Sequence, residues 1–397
     1  MLWSSVASFV FTVLFWPGTA NAAMAPRWAF LMVVAPLVLF SVDIKKITLS
    51  HVLLGLVLLY AGVSFSWSIV GYDWAFGYAH LFVIALLFVI GAQLQSLRPL
   101  LIGAVCGLAF SSVAVVGQKF LGWTFIDQVA PPAGLYMNKT QLGEISVLVL
   151  VACIYERMWW ALPVLLPSFI IPESRSSYVA FLVVMVVGLL RNRPRLLVGI
   201  TAVAAVSVIV YCLRDGDPSV MQRFYIWCDT LSGYSLFGSG WGQFYAGYPN
   251  HAYLVDTLAE RPDHAHNDLL EIGYELGIGA LLVVAFAWSV WRNGLATEKA
   301  VFLAFVSLGC FGFPLYMPES AAIFALVAGR LAGSGPALRD DVHHGRVLLR
   351  ECVARGSEFF GGRPVVGEGG TDIPVRVQDP QRSSVPLRLV DTLDGER

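Results

Sequence analysis

Charge is what this chain has least of. Only 13% of its 397 residues are Asp, Glu, Lys or Arg, about half the share of an ordinary soluble domain, and that scarcity excludes water-soluble globular and disordered readings. A basic excess is missing as well: 26 Lys and Arg stand against 27 Asp and Glu, for a net charge of −1. No electrostatic footprint for a nucleic acid therefore exists. The six cysteines (Cys106, Cys153, Cys212, Cys228, Cys310, Cys352) have neither paired nor metal-type spacing, and four fall in apolar runs, where Cys serves as a small hydrophobe. The chain carries no Gly-rich phosphate loop of the nucleotide-binding kind and no internal repeat.

What is present is apolar sequence, 57% of all residues, at a mean hydropathy of +0.69. A helix through a bilayer core needs about 17–25 such residues. Windows of that kind recur near 2–18, 26–42, 47–69, 75–95, 99–118, 140–155, 158–172, 177–190, 196–213, 267–290, 298–316 and 319–333. The expectation is an all-α polytopic membrane protein of about twelve transmembrane helices, with membrane lipid as its constant partner. Ala20-Asn21-Ala22 resembles a signal-peptide cleavage site, but no Lys or Arg precedes it, so the first segment is read as a span. The seventh carries Pro163, Pro167 and Pro172, which predicts a broken or tilted helix.

Basic residues beside spans stay on the cytoplasmic side. Lys45, Lys46, Arg98, Arg157, Arg191, Arg193, Arg195, Arg292, Lys299 and Arg330 fall on one side when twelve spans alternate. Both termini are then cytoplasmic, and the outer face receives 119–139, a short turn at Arg175, and a large periplasmic loop at 214–266 between the ninth and tenth spans. Residues 1–333 form the membrane domain. The tail 334–397, with nine Arg against ten Asp and Glu among Gly and Pro, is expected to be cytoplasmic and poorly ordered.

Loop 214–266 holds ten aromatic residues mixed with Gly, a composition suited to sugars, lipid head groups or a plain interfacial belt. Three residues or clusters in or near it bear chemistry. In the run Met221 to Trp227, helical spacing puts Arg223 and Trp227 on one face; Arg suits bidentate phosphate binding and also interfacial anchoring. Arg175, in Ser174-Arg175-Ser176-Ser177, is a cation on the face where cations are rare, with Glu173 adjacent to neutralise it. Asp263-His264-Ala265-His266-Asn267-Asp268 meets the tenth span. It suits a general base, a metal pair lacking further ligands, or a helix cap from Asn267 or Asp263.

In order, Arg223, Trp227, the segment Leu236-Phe237-Gly238-Ser239-Gly240-Trp241-Gly242-Gln243-Phe244, then His264 to Leu270 and Glu275-Leu276-Gly277-Ile278-Gly279 resemble the superfamily of O-antigen ligases and Wzy-type O-antigen polymerases. Ser174-Arg175 is similar to that family's earlier outer-face element, and Asn138-Lys139-Thr140-Gln141-Leu142-Gly143 to a further Asn motif. A ligase signature has His-Asn, nine residues, then Gly, two further residues and a Gly, Thr or Tyr. Here His266-Asn267 and Gly277 comply, whereas Ala280 departs.

The resemblance implies a GT-C-like glycosyltransferase of the bacterial inner membrane, working on the periplasmic side without metal or cofactor. Its donor would be an undecaprenyl-diphosphate-linked oligosaccharide. The acceptor would be lipid A–core, a growing glycan, or protein hydroxyls, and the reaction would invert the anomeric centre. Carried over, Arg175 and Arg223 match diphosphate-binding arginines and His266 the essential histidine. His264, Asn267, Trp227, Gly240 and Asn138 would line the substrate. The rival reading is a polytopic transporter or lipid-linked-sugar flippase, which should hold ionisable residues at mid-membrane.

Overall fold

Runs of Leu, Val, Ala and Phe close their backbone hydrogen bonds within themselves as helices, the arrangement required where the solvent offers no partners. The computed structural model describes residues 2–16, 23–40, 44, 47–124, 128–190, 218–255, 261–293 and 296–334. Their helices are α1 Leu2–Val13, α2 Met24–Phe40, α3 Leu49–Val63, α4 Gly71–Gln93, α5 Arg98–Leu121, α6 Lys139–Tyr155 and α7 Leu162–Ile170. There follow α8 Arg175–Leu190, α9 Pro218–Ser232, α10 Phe244–Gly247, α11 Asp268–Leu276, α12 Ala280–Trp291, α13 Ala296–Gly309 and α14 Pro318–Gly333. The one extended pairing among the described residues is an isolated bridge of Ala130 with Asn138.

Among the described residues, four helical stretches are long and apolar enough to cross a membrane: Leu49–Trp67, Gly71–Gln93, Arg98–Leu121 and Asp268–Trp291. Shorter helices lie over the other expected spans except 196–213, which falls outside the described residues, as do 191–217, 256–260 and the tail from 335. Three boundaries differ from the sequence reading. The first helix stops at Val13. The seventh is nine residues after a 3₁₀ turn at Trp159–Ala161, about 14 Å of rise, with Pro167 inside it. The eleventh stops at Gly309 and not near 316, because Gly312 and Pro314 interrupt the run.

Helix α6 is the hub. Every residue from Leu142 to Cys153 is buried, the mark of a helix surrounded by others, and α5, α7, α8 and α13 supply most of the rest of that core. At the α4–α14 contact, small residues let backbones touch. A Cβ on Gly91 would lie 2.3 Å from the Leu326 carbonyl oxygen, and one on Gly329 2.0 Å from that of Phe88.

A turn from the long loop splices into the tenth span where α11 gives way to α12. The helix breaks at Gly277 (φ +53°). Ser239 N–H donates to the Tyr274 carbonyl at 3.0 Å, Gly240 N–H to that of Glu275 at 2.9 Å, and Ile278 N–H to that of Leu236 at 2.8 Å. Backbone groups freed by the break are thus satisfied by the turn. Gly238, at φ +75°, packs so tightly that a Cβ would meet the Glu275 carbonyl at 2.1 Å.

Candidate active site

The run Met221 to Trp227 is helical within α9, and its two singled-out residues reach one neighbourhood. Arg223 Nη1 donates to the Phe311 carbonyl at 3.1 Å, and Trp227 Nε1 to that of Ala265 at 2.9 Å. On the same helix, buried Asp229 accepts from the backbone N–H groups of Tyr253, Leu254 and Val255 at 3.1–3.2 Å and from the Tyr248 hydroxyl at 3.1 Å. One carboxylate thereby ties the middle of the loop to α9.

The His264–Asp268 turn is built by α11. Asn267 is its N-cap: Oδ1 accepts from Leu269 and Leu270 N–H at 3.0 and 3.1 Å, and Nδ2 donates to the Cys310 carbonyl at 3.1 Å. The capping alternative is realised here, and it occupies both ends of the carboxamide. One turn on, buried Glu271 reaches back, accepting from Ala265 N–H at 2.8 Å and meeting His264 Nδ1 at 2.8 Å. The His264 ring also lies against Phe313 and Tyr316, with centroids 4.5 and 4.3 Å apart. That histidine is fixed by a carboxylate and two aromatic faces.

His266 differs. Its backbone is left-handed, φ +52°, an uncommon setting for a residue with a Cβ and one that recurs at functional sites. The ring sits 5.2 Å from that of Phe313. Burial, then the positive charge of Arg223, then His264, lower its pKa from 6.5 to about 4. At neutral pH the imidazole is uncharged and keeps a lone pair beside a guanidinium.

Residues 310–317, expected to lie within a span, form the fourth wall. Besides accepting from Asn267 and Arg223, this segment sends Leu315 N–H to Asp268 Oδ2 at 3.1 Å and the Tyr316 hydroxyl to Glu275 Oε2 at 3.3 Å. Sequence periodicity hid it, since Cys310 to Met317 is apolar apart from its hydroxyl. Periodicity also gave no role to buried Glu144, Glu271, Glu298 and Glu319. Their signal was there, as acids inside apolar runs. Glu319 pairs with buried Arg27, whose guanidinium also donates to the carbonyls of Thr12, Leu14 and Leu135 and lies 4.1 Å from the Tyr136 ring centroid.

The remaining sequence candidates are dispersed. Arg175 heads α8, exposed, while Glu173 stands 3.3 Å from Lys119 Nζ. Its turn abuts α6: a Cβ on Gly143 would be 2.5 Å from that of Ser174, and the next residue, Glu144, is acted on by the charges of Glu319 and Arg223. Asn138 caps α6, accepting from Thr140 N–H at 2.8 Å. Gly240 belongs to the turn spliced into the tenth span. Arg223, Trp227, His264, His266 and Asn267 are brought together; Asn138 and Gly240 support elements around them. Among the described residues no group of three or more His, Cys, Asp or Glu could hold a metal ion.

Residues 160–285 match the family model described as O-antigen ligase. The match covers α8, α9, the spliced turn, both histidines and the break in the tenth span. No curated protein matches the chain.

Proposed function

We propose that this multi-pass membrane protein, whose residues 160–285 carry an O-antigen ligase domain, transfers glycan from an undecaprenyl-diphosphate-linked donor to an acceptor hydroxyl on the periplasmic side of the bacterial inner membrane. The domain gives a ligase- or polymerase-type glycan-transfer role. The donor, the acceptor, the side of the membrane and the cytoplasmic termini are our reading. The observation that carries it is an uncharged, left-handed His266 held against Phe313 beside Arg223.

In this reading a ring nitrogen of His266 takes the acceptor hydroxyl proton as the oxygen attacks the anomeric carbon, and the bond from that carbon to the diphosphate oxygen breaks. The electron pair leaves with the diphosphate, where Arg223 and Arg175 stabilise the growing negative charge. Direct displacement inverts the anomeric centre, and no metal is needed for these steps. A bound diphosphate also offsets the Arg223 charge that disfavours protonated His266, so the donor itself strengthens the base. His264, fixed by Glu271, and Trp227, fixed to Ala265, wall the acceptor side. Asn267, Asn138 and Gly240 serve through the shapes they hold. Ligation to lipid A–core is placed ahead of polymerisation on the His266-Asn267 to Gly277 spacing.

The test is a deletion strain complemented with single variants, read as a lipopolysaccharide gel beside extracted lipid-linked glycan. Bare core with polymer stranded on the carrier lipid indicates a ligase; core bearing a single repeat indicates a polymerase. Arg223→Ala and Arg175→Ala should each abolish transfer while inserting normally. Full transfer by both would remove the diphosphate clamp.

A further inference from the structure

Glu271 serves above only to hold a turn in place, yet its two oxygens face different groups. It stands one turn into α11, 1% exposed, with Oε1 2.8 Å from His264 Nδ1. Its Oε2 accepts the Ala265 N–H at 2.8 Å. The Ala265 carbonyl in turn receives Trp227 Nε1, so both backbone groups of the residue between the two histidines are taken. A buried N–H without an acceptor is costly. Oε2 is therefore committed as an acceptor, and Oε1 is left facing the imidazole.

The ring is held on its other sides as well. It lies against Phe313 and Tyr316, which leaves the edge carrying Nε2 as the open one. The His264 side chain is 22% exposed. Among the described residues no group bonds Nε2, and that atom is not one of the buried ones lacking a partner. It shares the Phe313 ring with His266. What such an edge can bind depends on the proton: carried on Nδ1, it leaves Nε2 a lone pair that accepts, whereas on Nε2 it makes that atom a donor.

We propose that Glu271 is a positioning residue for glycan transfer: as a carboxylate it keeps the His264 proton on Nδ1, and His264 Nε2 accepts a hydrogen bond from an acceptor hydroxyl other than the attacking one. Glu271 itself touches neither donor nor acceptor. The acceptor then offers a second hydroxyl near the first, as a sugar does and a serine side chain does not. The inference rests on the transfer reading and deepens it by naming the contact that recognises the acceptor.

The test joins a spectroscopic and a kinetic readout on the full chain in nanodiscs, with lipid-linked glycan as donor and lipid A–core as acceptor. Solid-state nitrogen NMR of histidine-labelled protein, with His264→Phe to assign the signal, should show His264 protonated on Nδ1. A proton on Nε2 overturns the proposal, and no turnover is needed to see it. Glu271→Gln keeps the shape and reverses the polarity: its carbonyl oxygen takes the Ala265 N–H, so its amide N–H faces Nδ1 and drives the proton to Nε2. The acceptor KM should rise about tenfold while kcat and the donor KM stay within about twofold, the split expected of a contact equal in ground and transition states. In a His264→Phe background the same substitution should change the acceptor KM less than about twofold. An unchanged acceptor KM in Glu271→Gln, or equal losses in both backgrounds as a mere staple of the turn would give, overturns the proposal. Should Glu271→Gln fail to accumulate, the wild-type spectrum still decides. If wild type transfers nothing, the functional reading fails whatever the tautomer; if wild type is active, His266→Ala inactive and Glu271→Gln unimpaired, this inference alone fails.

Discussion

The unusual titration of His266 gives a prediction that can be followed through. An ordinary histidine protonates near 6.5, whereas burial, Arg223 and His264 bring this one to about 4. The difference of roughly 2.5 units, at about 1.4 kcal/mol per unit, disfavours the imidazolium by about 3 kcal/mol. A histidine whose pKa is depressed is neutral above that value, so a base function is present at neutral pH and lost only as pH falls through about 4. In the free enzyme the acid limb of kcat/KM should therefore lie near 4. Once the donor diphosphate faces Arg223, the positive field on His266 is offset and the limb moves up, so kcat should fall off at a higher pH than kcat/KM. Glycan transfer in nanodiscs across pH 3.5 to 8, at saturating and limiting donor, measures both. Arg223→Gln removes one lowering cause and should raise the kcat/KM limb in whatever activity remains. Coincident limbs near 6.5, or a limb that persists unchanged in His266→Ala, would refute the reasoning.

Other expectations concern stability and composition. Arg27→Met leaves the Glu319 carboxylate buried without its partner and should cost about 3–5 kcal/mol, read as a large drop in the midpoint of thermal unfolding in detergent. Arg27→Met with Glu319→Leu should recover much of that loss, and a double variant as unstable as the sum of the singles would contradict the pairing. Gly238→Ala forces a Cβ onto the Glu275 carbonyl at a positive φ and should destabilise by more than about 1 kcal/mol. The check is the midpoint of thermal unfolding in detergent, which should fall relative to wild type. Chelators should leave turnover intact, whereas loss restored by one added metal would bring a metal role for His264 and His266 back.

Much of the fold was legible in the sequence because the solvent is simple. A bilayer core demands apolar runs of set length with satisfied backbones, and such runs show in composition alone. A helix lies over at least part of every predicted segment that is described. Order and spacing also put Arg223 and Trp227 on one helical face, and the helix between them forms, their side chains reaching the Phe311 and Ala265 carbonyls next to the histidine turn. Linear periodicity could not show that Cys310 to Met317 leaves its helix, because these residues look like span, and a glycine and a proline decide otherwise. Nor could it show that the glycine turn is a backbone splice, since the groups it satisfies lie some 35 residues away in sequence. The sequence by itself determined which residues are apolar, which are charged and which could carry chemistry. Only the tertiary structure decided which charges meet, because the buried carboxylate of Glu319 finds its partner in a guanidinium 292 residues earlier in the chain, that of Arg27, and that meeting is made by packing.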